Sequence, residues 1–133
     1  MKLFICIDDQ NGMMFNNRRQ SRDKVLVSKI FEIVGGEPLF VLPYSEKLFK
    51  ENGNVIVCEN PFLDADENGF CFYEGKIDDI STVNELFVFC WNCEYPSDVK
   101  FDFLPENEGF SLAESIDFQG SSHDNITLKI FRR

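Results

Sequence analysis

Leu3-Phe4-Ile5-Cys6-Ile7, closed by Asp8-Asp9 and followed after a polar interval by Val27, Ile30, Phe31 and Val34, decides the fold of this chain. Five apolar residues in unbroken succession suit a strand buried on both faces, as in a parallel sheet. The i, i+3, i+4, i+7 spacing of the second set predicts an amphipathic helix, with Ser21 as its cap and Gly35-Gly36 as its stop. Between them, Asp8–Asn17 reads as a loop with Asn11-Gly12 as its turn. Strand, loop and helix in that order open an α/β unit.

The pattern continues outward. Leu39–Leu42 predicts a second strand, ended by Pro43, and Tyr44-Ser45 starts a brief helix through Glu51, closed by Asn52-Gly53. Val55–Cys58 reads as a third strand of the buried type. The second half is mainly β, with strands expected at Phe70–Tyr73, Leu86–Trp91, Val99–Phe103, Ser111–Phe118 and Ile126–Phe131, and a short helix over Ile77–Glu85. Val99, Phe101 and Phe103 alternate with Lys100 and Asp102, a period of two that buries one face. Ile126, Leu128 and Ile130 repeat the pattern, with Phe131 out of phase. No repeat, low-complexity segment or linker interrupts the chain. The expected architecture is a single α/β domain over residues 1–133, with α+β as the variant: a mixed sheet, βαβ-like in its first half and mainly antiparallel in its second.

Composition narrows the function classes. A chain of 133 residues can bury a real core, and 15 Phe supply the apolar area without help from disulfides. The net charge of −10 opposes general nucleic-acid binding, because the overall field repels phosphate backbones. No apolar run approaches the roughly 20 residues of a membrane span, and Leu3–Ile7 is shorter than a signal-peptide core of about 7–15 residues. Five cysteines without extracellular signals fit reduced thiols, and the chain reads as cytoplasmic.

Against this acidic background stands Arg18-Arg19-Gln20-Ser21-Arg22-Asp23-Lys24, which carries +3 while the remaining residues sum to −13. Guanidinium forks match phosphate or carboxylate, and helix N-termini present free N–H groups to anions. Asn16, Asn17, Arg18, Arg19, Gln20 and Ser21 are therefore expected to line an anion site, with Arg22 adding charge; solvated or carboxylate-paired arginines are the plainer alternative. The second candidate is Gly120-Ser121-Ser122-His123, which holds the only histidine. An imidazole can trade protons near neutral pH, and the serines can offer hydroxyls and N–H groups to an oxyanion. A hairpin turn is the competing reading, since Gly and Ser are routine turn formers.

Two further patterns carry less. Cys90-Trp91-Asn92-Cys93 has CxxC spacing, but no second close pair of soft ligands completes a zinc site. Asp64-Ala65-Asp66-Glu67-Asn68-Gly69 departs from the calcium-loop pattern, and Asp8 with Asp9 has no spacing that requires a metal. No metal or cofactor is expected.

Asp8-Asp9 through Asn11-Gly12-Met13, Phe15-Asn16 and Arg18-Arg19-Gln20-Ser21, with Trp91-Asn92, Tyr95-Pro96 and Asp98, then Gly120-Ser121-Ser122-His123 with Ile126-Thr127, resemble small uncharacterised bacterial proteins. Some of these carry the label "ribonuclease Z". The resemblance implies no established activity, and one histidine cannot build the two-zinc site of metallo-β-lactamase-type ribonuclease Z. Residues 3–31 also resemble the opening of dihydrofolate reductase: strand, acidic residue, Asn-Gly, then a loop into a helix. The Leu-Pro-Trp signature and the Gly-Arg cofactor segment are missing, so that likeness reads as architectural coincidence.

The functional expectation comes from the two polar segments. It is a protein that binds a small anionic ligand (phosphate, a nucleotide or an RNA end) without established catalysis. Arg18, Arg19 and Arg22 supply charge, and Ser121, Ser122 and His123 complete the pocket where the last turn folds beside the first loop. Catalysis would take the form of phosphate-ester hydrolysis with His123 as acid and base, but a lone histidine without an identifiable partner is thin support for it. The alternative is a protein–protein interaction module presenting Phe15, Phe118 or Phe131.

Overall fold

The computed structural model describes residues 1–49 and 53–133. Its centre is β1 (Lys2–Ile7), in which Leu3, Phe4 and Ile5 are wholly buried. Both sides of β1 are taken by parallel neighbours, β6 (Phe70–Phe72) and β7 (Glu85–Cys90). Beyond β6 lie β4 (Leu39–Val41) and β5 (Val55–Val57), again parallel. On the other side, β10 (Ile126–Arg132) runs antiparallel to β7, and β9 (Ser111–Phe118) closes the sheet antiparallel to β10. The seven-stranded order is β5-β4-β6-β1-β7-β10-β9. The expected mixed α/β sheet is what the chain forms.

One sheet face is covered by α1 (Lys24–Val34), which packs Leu26, Val27, Ile30 and Val34 against Phe4, Phe72, Phe87, Phe89 and Trp91. The phenylalanines have a specific use here. Phe4 pairs in register with Phe87 on β7, and their rings stack at 4.6 Å with 20° between planes. Phe70 on β6 extends the stack at 6.0 Å. Offset aromatic pairs of this kind add about 0.5–1.5 kcal/mol beyond the area they bury. The opposite face, with Leu3, Ile5, Leu86 and Val88, is covered by Ile77, Ile80, Val83, Phe101 and Phe110.

Several local expectations change. The span 77–84 is irregular rather than helical: Ile77, Ile80 and Val83 are buried, and that spacing imitates a helix face. The first loop contains a hairpin, with β2 (Gly12–Phe15) and β3 (Arg18–Arg19) turning through Asn16 and Asn17 at φ 52° and 60°. Two consecutive asparagines in the left-handed region are the signature of a tight primed turn. A short β8 (Val99–Lys100) pairs with β2, so the predicted strand to Phe103 stops early. β5 is an edge strand with Ile56 and Val57 each 38 % exposed, not a buried one. A 3-10 turn at Pro43–Ser45 leads into α2 (Glu46–Phe49); the rest of that predicted helix, residues 50–52, lies outside the described residues. A last short helix, α3, spans Pro61–Asp64. Phe131 faces the side of the sheet opposite Ile130, which accounts for its odd phase.

Candidate functional site

At the carboxyl ends of β1 and β7 the chain leaves the sheet through Asp8 and Trp91, and here open α/β sheets place their ligands. Asp8 organises the exit. Its Oδ1 accepts N–H bonds from Gln10 and Gly12, at 2.8 and 2.7 Å, and its Oδ2 accepts from Tyr95 N and Gln20 Nε2, both at 3.0 Å. Burial alone would raise this carboxyl, but the N–H groups of Tyr95, Gly12, Gln10 and Gln20 outweigh it and hold the group below its ordinary range. Four donors on one carboxylate make Asp8 a loop anchor.

The second organiser is Asp23, the N-cap of α1, a role expected of Ser21. Its Oδ1 accepts from Val25 N at 2.9 Å, Leu26 N at 3.3 Å and Ser121 N at 3.0 Å. Its Oδ2 accepts from Ser122 N at 2.9 Å and lies 3.0 Å from His123 Nδ1. Burial works against the charge, yet the N–H groups of Ser122 and Ser121, His123 and Leu26 hold the carboxyl far below the usual range. The cap is completed from the far end of the chain, because Ser121 Oγ also accepts from Lys24 N at 3.0 Å and Ser122 Oγ donates to the Arg22 carbonyl at 3.2 Å.

These bonds bring the two polar segments together. His123 Nε2 lies 2.9 Å from Ser21 Oγ and 3.3 Å from Tyr95 Oη. Its ring stacks on Trp91, centroids 4.6 Å apart and planes at 30°. With Nδ1 facing a carboxylate, the proton of the neutral ring belongs on Nδ1, and Nε2 accepts from Ser21. Burial raises the Tyr95 phenol above its ordinary value, which keeps it protonated. Ser21, Asp23, Leu26, Val27, Phe72, Trp91 and their neighbours line a narrow recess of about 20 Å³, room for about one water. Cys6 contributes to the wall, but burial pushes its thiol well above the ordinary range and leaves it a poor nucleophile.

The arginines are placed differently from one another. Arg19 forms a two-point pair with Glu74, Nε to Oε2 at 2.8 Å and Nη2 to Oε1 at 2.9 Å, and its guanidinium lies 4.6 Å from the Tyr44 ring centre. Arg18 and Arg22 are both exposed, and Arg22 borders the first recess. Asn16, also exposed, donates its N–H to Asp98 Oδ2 at 3.1 Å. Arg18, Arg19 and Asn16 border a second, larger and more open recess of about 440 Å³ with Phe15, Gln20, Tyr95 and Pro96. The N–H groups of α1 that the anion reading needs are taken by Asp23 and Ser121.

Reasoning from sequence missed Asp23 and Tyr95 as partners of His123, and gave Ser21 only capping and anion-lining roles. The signal for Asp23 was present, since Asp is as good an N-cap as Ser and directly precedes the helix. Tyr95 had no local signal. Among the described residues, no group of three or more His, Cys, Asp or Glu side chains is placed to hold a metal, and no helix is long and apolar enough to cross a membrane.

No family model and no curated protein matches the chain. Solved structures do. Dihydrofolate reductase from Enterococcus faecalis, complexed with NADP(H) and RAB-propyl, superposes with a TM-score of 0.68 over 99 % of this chain and 95 % of that one, at 8 % identity. The likeness of residues 3–31 is therefore no coincidence; it extends over the whole chain. The same comparison corrects the functional expectation, a non-catalytic binder of anionic ligands or else an interaction module: the neighbour along the full length is an enzyme. This chain is built on a dihydrofolate reductase-like fold.

Proposed function

We propose that the protein is a small hydrolase that cleaves a neutral acyl ester, with Ser21 as nucleophile, His123 as general base and acid, and Asp23 as the group that orients the imidazole. One observation carries the reading. Ser21 Oγ stands 2.9 Å from Nε2 of a ring whose Nδ1 is 3.0 Å from a buried carboxylate, and Ser21 lines the recess. Ser21 Oγ gives its proton to Nε2 as it bonds to the acyl carbon. The departing alkoxide takes that proton as the ester bond breaks. Water then loses a proton to Nε2, attacks the acyl-serine, and the carboxylic acid leaves as Ser21 recovers its hydrogen. Tyr95 Oη, a protonated hydroxyl 3.3 Å from the same nitrogen, is the side chain assigned to the oxyanion.

A neutral substrate suits the walls, because Glu74 balances Arg19 and the rest are mainly apolar. Five unpaired cysteines support a reducing, cytoplasmic setting.

The test is hydrolysis of p-nitrophenyl acetate together with fluorophosphonate labelling and mass spectrometry. Ser21 should carry the label. Ser21→Ala should abolish turnover, and His123→Gln should cut it by about a thousandfold or more. Turnover that survives Ser21→Ala would sink the reading, and turnover of bis(p-nitrophenyl) phosphate alone would replace the acyl ester by a phosphate ester.

A second reading comes from the structural neighbour, which holds NADP(H). Binding of the nucleotide would show as NADPH fluorescence enhancement on titration, and nucleotide-dependent reduction as loss of NADPH absorbance when a substrate is added. Two features of this chain count against it. The first turn of α1 already gives its N–H groups to Asp23 and Ser121, and no Gly-x-Gly turn follows β1 or β7.

A further inference from the structure

Among the described residues, Gln20 Oε1 is the only buried side-chain polar atom without a hydrogen-bond partner. The other end of the same amide is firmly held. Nε2 donates to Asp8 Oδ2 at 3.0 Å and to the Pro96 carbonyl at 3.3 Å. Both of those partners are acceptors, so the amide cannot be turned to present its nitrogen in place of its oxygen. Asp8 is itself fixed by three backbone N–H groups. Gln20 is thus a pre-oriented acceptor, it precedes Ser21 in the chain, and it contributes to the walls of both recesses.

We infer that Gln20 is the specificity residue of the site, and that its Oε1 accepts an N–H or O–H carried by the substrate close to the scissile carbonyl. This deepens the hydrolase reading and rests on its recess. A buried acceptor left without a donor carries a desolvation penalty, which a donor-bearing ligand relieves and a donor-free analogue does not. The favoured class is a small neutral molecule, since the first recess is narrow and Arg19 is already neutralised by Glu74.

Benzamide and acetophenone test this directly, because they share a shape and differ by an NH2 for a CH3. Each is titrated into 15N-labelled protein while the Ser21 amide and the Trp91 indole signals are followed. Benzamide should bind about tenfold more tightly or better. In Gln20→Met that preference should vanish, with the spectrum still that of a folded protein. Equal affinities in the wild-type protein, or no binding of benzamide, overturn the inference without need of the variant. Fluorophosphonate labelling of Ser21 requires no donor and is read in parallel. Labelling without a benzamide preference sinks the specificity role alone, whereas absence of labelling sinks the hydrolase reading.

Discussion

Replacing Asp23 by Asn exchanges one carboxylate oxygen for an NH2 and removes the charge, and the two oxygens differ in how they bear the change. Oδ1 receives three N–H groups, from Val25, Leu26 and Ser121, and an amide oxygen can keep all three. Asn caps helices about as well as Asp, so that half of the site survives. Oδ2 receives Ser122 N and faces His123 Nδ1. An NH2 in that place points a donor at donors and leaves two part-buried groups unpaired, each costing about 1–3 kcal/mol. The expected loss at pH 7 is therefore about 3 kcal/mol, or roughly 10 °C in Tm for a chain of this size. Asp23 is depressed in the fold, so its contribution is fully present above its unfolded value near pH 3.9 and disappears as pH falls further. Urea unfolding followed by fluorescence of Trp91, the single tryptophan, measures both effects. The gap between wild type and variant should shrink steadily below about pH 4. Asp8 titrates in both proteins and drops out of the difference. A loss under about 1 kcal/mol, or a gap that does not change in acid, would refute the account of Asp23 as the charged hub of the site.

Two more outcomes concern the same region. Gly120→Ala would drive its Cβ into the Asp23 carboxylate, and the crowding should destabilise the fold by about 1–3 kcal/mol in urea titrations while weakening the Ser21–His123 contact seen by NMR. Arg19 and Glu74 should show a coupling of about 1–2 kcal/mol in a double-mutant cycle of Arg19→Met and Glu74→Gln, because the pair is two-pointed and largely buried; Arg19→Lys should lose most of it, since an ammonium cannot reproduce the fork.

The central strand and α1 were legible because each is announced by its own residues. Leu3–Ile7 is apolar throughout, and Leu26, Val27, Ile30 and Val34 keep one helical stripe. Failures arose where burial came from tertiary packing. Ile77, Ile80 and Val83 anchor an irregular strap, yet their spacing satisfies a helix pattern. β5 is apolar in sequence but lies at an edge, which strand composition does not encode. In the site, the polar segments around Arg18 and Ser121 were visible as chemistry. Their partners were not: Glu74 is 55 residues from Arg19, and Tyr95 is 28 from His123. Pairings over such separations are fixed by sheet order alone.

The 97- to 102-residue separations between the Ser21–Lys24 turn and Ser121–His123 have a consequence for biogenesis. During synthesis the amino-terminal strands and α1 emerge long before the imidazole exists, and loop closure of that length slows assembly of the final hairpin against β7. Until β10 docks, α1 lacks its borrowed cap and Ser21 has no base beside it. On the hydrolase reading, a chain that ends before His123 should therefore be inert, because Ser21 acquires its partner only when the last hairpin docks.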